Sequence, residues 1–387
     1  LEPTKKDVLE MLQFLEGENI GEKNDALKRQ SGYAFYNTSK FTLNKLLDAP
    51  GNLRTNFEKY LDGFSDNVQE IISKFKFRNQ LDTLEEAEVL YLLIQNFTSP
   101  KIHLGPDPIV DDDGEIIHEG LSNLGMGYVF EELVRKFNEE NNEEAGEHFT
   151  PRDVIRLLTH LIFRPVEDDM GSAAYSIYDP ACGSGGMLTE SERFILEGEV
   201  EDDGTILETP IAEDATLHLY GQEVNPETYA ICKSDMLIKG EDPERIAYGS
   251  TLSADAFRDT PFDFMLSNPP YGKSWKKDKD AIEPERGDIR DDRFEIQCWN
   301  QVDEEVETLS LTTRSNDGQL LFLANMLQKM KDPSEPKSNG SRIASVHNGS
   351  SLFTGDAGQG MSNIRRWILQ NDWLEAIVAL PTGMFYN

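Results

Sequence analysis

The run Phe262-Asp263-Phe264-Met265-Leu266-Ser267-Asn268-Pro269-Pro270-Tyr271 closes an apolar, strand-like segment with an amide, two prolines and an aromatic ring. Open α/β sheets keep their ligands at the carboxyl ends of their strands, so these last four residues are expected at a site. Their types suit one task. An amino group on an aromatic ring is a poor nucleophile, because its lone pair is delocalised into the ring. Carbonyl oxygens aimed at its two hydrogens favour the pyramidal, attacking form. Asn268 offers a side-chain oxygen and Pro269 a main-chain oxygen on a stiff backbone. Tyr271 offers a face on which an extruded base can stack, a contact worth ~1–3 kcal/mol. Asn268, Pro269, Pro270 and Tyr271 are therefore the expected catalytic edge.

Upstream, Tyr175-Ser176-Ile177-Tyr178-Asp179-Pro180-Ala181-Cys182-Gly183-Ser184-Gly185-Gly186 runs an apolar strand into an acid, a small-residue turn and a helix start. Glycines let the backbone take positive φ and approach a ligand closely, and a helix start offers unpaired amides. The Gly-x-Gly-x-x-Gly spacing of dinucleotide loops is absent. A second strand, Leu217–Gly221, leads to Gln222-Glu223, where a carboxylate is placed to accept hydrogen bonds from ribose hydroxyls; alone, Glu223 could equally be an ordinary exposed acid. A third strand, Ile246–Tyr248, leads to Asp255, the candidate to sit beside a cofactor's adenine. Gly146-Glu147-His148-Phe149-Thr150-Pro151-Arg152-Asp153 precedes all of this and spells a helix start, with Thr150 as cap, Pro151 in the first turn and then an acid.

Positioning these residues requires an α/β sheet. Tyr175–Asp179, Leu217–Gly221, Ile246–Tyr248, Phe262–Ser267, Arg342–Val346 and Leu374–Leu380 are predicted strands, with helical patterns between most of them. Residues 272–316 are polar and doubly charged and are expected to be an insertion or mobile loop. Residues 1–145 are expected to form a helical domain, with apolar spacing over Thr42–Leu47, Phe57–Phe64, Val68–Phe77 and Leu84–Phe97; residues 146–387 form the catalytic domain. Asp111–Glu115 starts like a calcium loop, but Ile116, Ile117 and Gly120 are wrong for the later ligands, so it is expected to be a solvated loop.

The chain has 387 residues, enough for two domains, and 38% of them are hydrophobic. Its apolar runs fall short of the ~20 residues of a membrane span, and Leu1–Lys6 shows no secretory signal, so a soluble, cytoplasmic protein is expected. The start without methionine suggests a trimmed chain, and the sheet is expected to continue past Asn387, leaving the catalytic domain incomplete there. Cys182, Cys232 and Cys298 have no metal-ligand spacing and read as reduced thiols, so no metal is expected. With 37 basic and 71 acidic residues, the formal net charge is −34. A protein that grips DNA alone usually presents basic surface. Another polypeptide is therefore expected to do most of the DNA holding, although a high acidic load can also serve solubility alone.

The order Asp179-Pro180-Ala181-Cys182-Gly183-Ser184-Gly185-Gly186, then Asn268-Pro269-Pro270-Tyr271, resembles the signatures of adenine-specific amino-methyltransferases. With the Gly146–Asp153 segment ahead of both, the chain is similar to the modification subunits of type I restriction–modification systems. That resemblance covers nearly the whole chain. It includes Leu43–Pro50, Asn123–Leu133, Asn141–Pro151, Asn316–Leu323 and Ala379–Tyr386. It implies a Rossmann-like, S-adenosylmethionine-dependent methyltransferase sheet preceded by a helical domain. It implies that Asp179, Pro180, Ala181, Gly183, Ser184, Gly185 and Gly186 hold the cofactor's methionine end, closed over by Glu147, His148, Phe149 and Thr150. Phe385 becomes a second stacking face for the base. The implied partners are DNA, a specificity subunit that reads sequence, a restriction subunit and a second copy of the chain. Tyr271 stands where many relatives carry phenylalanine. A stand-alone adenine DNA methyltransferase, or one acting on protein glutamine or an RNA base, shares the Asn-Pro-Pro-Tyr edge. The Gly-Glu-His-Phe-Thr-Pro segment argues against the last two.

Overall fold

The computed structural model describes residues 4–15, 17, 19–111, 113–140, 150–200, 206–285, 287–300, 304–334 and 339–385. Its contacts divide the chain into two compact units, Leu1–Asn141 with Pro226–Glu244, and Asn142–Asn225 with Arg245–Asn387.

The first unit is helical. Leu53, Phe57 and Leu61, four residues apart, share one face of the helix Leu53–Asp62 and are buried with Leu46, Ile72, Leu81, Leu90 and Ile94. The helix Ile20–Ser31 is closed at both ends, by the Asn19 side chain accepting from Glu22 N and by Gly32 at φ 76°. The single helical pattern read over Leu84–Phe97 is in fact two helices, Phe77–Glu86 and Leu90–Phe97. They are separated where Glu88 turns left-handed, at φ 57°. Asp111 is a turn former: its Oδ1 accepts Asp113 N and Glu115 N at 3.0 and 2.9 Å, between the short paired strands Ile109–Val110 and Ile116–His118. The helix Pro226–Lys239 also belongs to this unit. Its Ala230 and Leu237 pack with Ile71, and Lys233 Nζ and Tyr229 OH each reach Glu70 at 2.9 Å.

The second unit is built on five parallel strands: β1 (Ala174–Asp179), β2 (Thr216–Glu223), β3 (Ile246–Tyr248), β4 (Phe264–Ser267) and β5 (Arg342–Ser345). Their spatial order is β5-β4-β1-β2-β3. The residues of β4 are all buried, as a strand inside a parallel sheet requires. Tyr178, Phe262, Met265 and Met326 form the core on one part of the sheet, with the Tyr178 and Phe262 rings stacked at 4.4 Å. The helix Arg152–Phe163 buries Val154, Ile155, Leu158, Ile162 and Phe163. Strand order reverses beside β1, where β2 lies on one side and β4 on the other. Doubly wound sheets open a crevice at such a point.

Two expectations fail in this unit. Residues 272–316 are not a loose insertion: they hold the helix Lys276–Ile282 and an antiparallel hairpin, Glu295–Asn300 with Glu305–Ser310. Trp275, Ile282, Phe294, Ile296, Cys298, Leu309 and Leu311 from this stretch join one core with Leu320, Leu321 and Ile364. The buried Ile296 and Cys298 alternate with exposed Glu295, Gln297 and Trp299, a period-2 signal hidden by the surrounding charge. Leu374–Leu380, in contrast, forms no strand. Leu374, Ile377 and Val378 are exposed and find no ladder partner among the described residues. Apolar, β-branched composition does not make a strand without a neighbour to pair with.

No helix among the described residues is long and apolar enough to cross a membrane. The three cysteines are free and buried.

Candidate active site

The glycine turn and the Asn-Pro-Pro-Tyr edge leave adjacent strands at the same end of the sheet. β1 and β4 are parallel and paired, Ile177 opposite Phe264 and Tyr178 opposite Met265. One carboxylate ties the two exits together. Asp179 Oδ1 accepts from Ala181 N at 3.0 Å, inside the turn, and from Ser267 Oγ at 2.8 Å, at the last residue of β4.

The turn's sequence follows from its geometry. Gly183 and Gly185 sit at φ 54° and 90°, a region that costs other residues roughly 1–2 kcal/mol. Cys182 nests against β2, where a Cβ on Gly221 would lie 2.8 Å from its sulfur. Cys182 N also donates to Gln222 O at 3.1 Å, and Thr251 Oγ1 to Pro180 O at 2.5 Å. Glu223, at the end of β2, places one carboxylate oxygen 3.0 Å from Gly183 N and the other 2.7 Å from Asn225 N. The ends of β1 and β2 and the segment after β3 are thereby locked to one another.

At the β4 exit Asn268 is held from one side only. Its Nδ2 donates to Thr150 Oγ1 at 3.1 Å, while its buried Oδ1 has no partner among the described residues. The helix after Thr150 begins with Pro151 at the cap and no side-chain cap bond. Thr150 is therefore not the expected helix cap: its hydroxyl serves Asn268 instead. Pro269 is buried and Tyr271 half-buried. The Tyr271 and Phe385 rings meet edge to face, 6.4 Å between centroids. Glu147, His148 and Phe149 lie outside the described residues.

Asp255, expected beside the cofactor's adenine, is turned into a buried ion cluster. Its carboxylate has 1% exposure and lies 2.9 Å from Arg293 Nη1 and 2.7 Å from Lys329 Nζ, while Oδ1 accepts Phe257 N. Arg293 also grips Asp291 and donates to the carbonyls of Thr251 and Leu252 at 2.8 and 2.7 Å. Burial would raise the Asp291 carboxyl, but the hydrogen bond and charge of Arg293 hold it below its usual range. Asp255 and Arg293 thus form a buried ion cluster that fixes the segment after β3.

Burial in the sheet raises the Asp179 carboxyl to about 7; the bonds from Ala181 and Ser267 oppose this and the Glu223 charge adds to it. Burial lowers His347, just beyond β5, to about 4 against the pull of Asp317. An acid with a raised folded pKa holds more protons folded than unfolded, so its contribution to stability falls as pH rises from about 4 to about 7. The depressed histidine works the other way, its contribution being lost as pH falls from about 6.5 to about 4. The two oppose each other in the wild type. Asp179→Asn should remove the first alone, so that stability in urea titrations climbs more steeply between pH 4 and 6.5 than in the wild type. Parallel profiles would contradict the protonated Asp179.

Reasoning from the sequence missed the Thr150–Asn268 contact, the Ser267 brace and Arg293. Ser267 was visible as the small polar residue ending an apolar strand. Arg293 sits in a charged run where nothing distinguishes a buried arginine from its exposed neighbours.

A parallel sheet in this order, with these two strand exits braced together, defines a Rossmann-like fold of the methyltransferase type. The structure resembles that of the type I restriction-modification system methyltransferase subunit from Streptococcus thermophilus, with a TM-score of 0.55 and 18% identity over 95% of this chain and 71% of that one. The description "N-6 DNA Methylase" matches residues 122–387, and "HsdM N-terminal domain" matches residues 1–97. The chain belongs to the N-6 DNA methylase family. It is 26% identical to the type I restriction enzyme HindI methylase subunit of Haemophilus influenzae over 71% of this chain and 51% of the relative. It is also 26% identical to the MjaIX methylase subunit of Methanocaldococcus jannaschii, over 84% and 47%. The chain thus spans about half the length of these relatives.

Proposed function

We propose that this chain transfers a methyl group from S-adenosylmethionine to the N6 amino group of adenine in DNA, as the modification subunit of a type I restriction–modification complex. The observation that carries the reading is the hydrogen-bonded union of the glycine turn and the Asn268–Tyr271 edge, on paired strands at the reversal of strand order.

The residues present fit the cofactor. The positive-φ turn at Gly183 and Gly185, with Asp179, Pro180, Ala181, Ser184 and Gly186, would cradle the methionine end, with Thr150 and the segment before it alongside. Glu223, held by two backbone amides at the end of β2, would accept from the ribose hydroxyls. When bound, the cofactor supplies an electrophilic sulfonium methyl. Tyr271 and Phe385 flank the extruded base. Asn268 Oδ1, a buried acceptor without a donor among the described residues, would take one amino hydrogen, and Pro269 O the other. Held this way, the nitrogen lone pair would leave conjugation with the ring and become free to attack. Positioning and fixed acceptors supply the acceleration, with no covalent enzyme intermediate.

The relatives are methylase subunits of type I restriction enzymes, and a net charge of −34 suits a chain that leaves most DNA contact to others. A specificity subunit would read the sequence, two copies of this chain would act with it, and a restriction subunit would join them. Incubation with labelled S-adenosylmethionine, DNA and the specificity partner should yield N6-methyladenine on nucleoside analysis. Label confined to protein glutamine or to RNA would overturn the assignment. Tight, sequence-specific DNA binding by this chain alone would overturn the division of labour.

A further inference from the structure

We propose that His347 is a base-binding residue whose imidazole donates a hydrogen bond to a ring nitrogen of the adenine held by Asn268 and Pro269. The inference rests on the adenine-methylating reading above and adds a residue that this reading does not use.

His347 lies two residues beyond β5. Past the last strand pair, Ser345 opposite Ser267, Val346 N donates to Ser267 O at 2.9 Å. The chain therefore leaves the sheet beside the exit that carries Asn268 and Pro269. A single brace ties the two exits together again. Asp317 Oδ1 accepts Gly272 N at 3.4 Å, directly after Tyr271. Gln319 donates through Nε2 to Asp317 Oδ2 at 2.8 Å and accepts Asn348 N at 3.0 Å, directly after His347.

Both ring nitrogens of His347 are buried; among the described residues neither has a hydrogen-bond partner, and no other side chain leaves two buried polar atoms unpaired. Asp317 does not satisfy them, since its oxygens receive Gly272 N, Gln319 N and Gln319 Nε2. Buried polar groups are nearly always paired, and leaving one unpaired costs about 1–3 kcal/mol. Here four such atoms, the two of His347, Ser345 Oγ and Asn268 Oδ1, stand at neighbouring strand exits. An adenine offers the matching set: amino hydrogens for Asn268 and, on either side of the amino group, the ring acceptors N1 and N7. Burial keeps the imidazole uncharged, with one N–H to give.

The test is methyl transfer by the assembled complex on duplexes carrying adenine, 1-deazaadenine or 7-deazaadenine at the target position. Wild type should lose about tenfold on one of the two deaza duplexes, the scale of one hydrogen bond. His347→Leu should lose about tenfold on adenine and nothing further on that same deaza duplex. His347→Gln, which keeps a donor, should recover part of the loss. An equal loss by His347→Leu on all three duplexes, or a wild type indifferent to both deaza bases, would overturn the inference while leaving adenine methylation intact. A wild type that methylates adenine in no duplex would instead remove the reading on which it rests.

Discussion

Asn268→Ala should lower methyl transfer by about 10²–10³-fold, the effect of removing one fixed acceptor from a developing charge, while cofactor affinity stays within about twofold. The reason is geometric. Asn268 directly follows β4, whereas the turn proposed to hold the cofactor follows β1 and draws its rigidity from Asp179, Gln222 and Glu223. Alanine removes Oδ1 and the bond to Thr150 but leaves those braces in place. Asn268→Asp keeps an oxygen in position and should retain more activity than alanine. Single-turnover transfer and calorimetric titration with S-adenosylhomocysteine separate the two effects. Unchanged turnover in Asn268→Ala would remove its assigned role.

Arg293→Met should destabilise the sheet unit by about 3–5 kcal/mol, the usual cost of breaking a buried ion pair from one side. The guanidinium has 5% exposure and contacts Asp255, Asp291, Asn325 and the carbonyls of Thr251 and Leu252. Its loss leaves Asp291 with only the half-exposed Arg258 and Asp255 with only Lys329, whose ammonium burial already pushes down. Because Thr251 Oγ1 also holds Pro180 O, cofactor affinity should fall with stability. Urea unfolding followed by tryptophan fluorescence checks this; a shift below about 1 kcal/mol would mean that the cluster carries little of the fold.

The strands that carry the chemistry were legible because each ends in residues with a mechanical task. Tyr175–Asp179 is apolar up to an acid and a glycine turn, Ile246–Tyr248 is bounded by Arg245 and Gly249, and the β4 run stops at Asn268 and two prolines. Their adjacency was not legible from any single segment. Strand order is a property of pairings far apart in sequence, and only the resemblance implied it. Asp255 misled for a related reason: an acid after the third strand looks the same whether it faces a nucleoside or a buried arginine 38 residues later. The hairpin Glu295–Ser310 was masked by charge on its exposed face. Leu374–Leu380 shows the converse, an apolar run with no strand beside it among the described residues to complete a ladder. Pro226–Lys239 lies between two of the predicted strands, yet its grouping with the first 141 residues depends on contacts such as Lys233 with Glu70.

The account depends on one crevice serving both the methyl donor and the base. A bisubstrate compound, with adenosine N6 joined through a short linker to the sulfur-bearing end of the cofactor, tests this most directly by equilibrium binding. If the β1 turn and the β4 edge share a cleft, the compound should bind at least about 10²-fold more tightly than S-adenosylhomocysteine, the gain that tethering gives when geometry permits. Asn268→Ala should erase that advantage without touching S-adenosylhomocysteine itself. A compound that binds no better than S-adenosylhomocysteine would mean that the two halves do not meet.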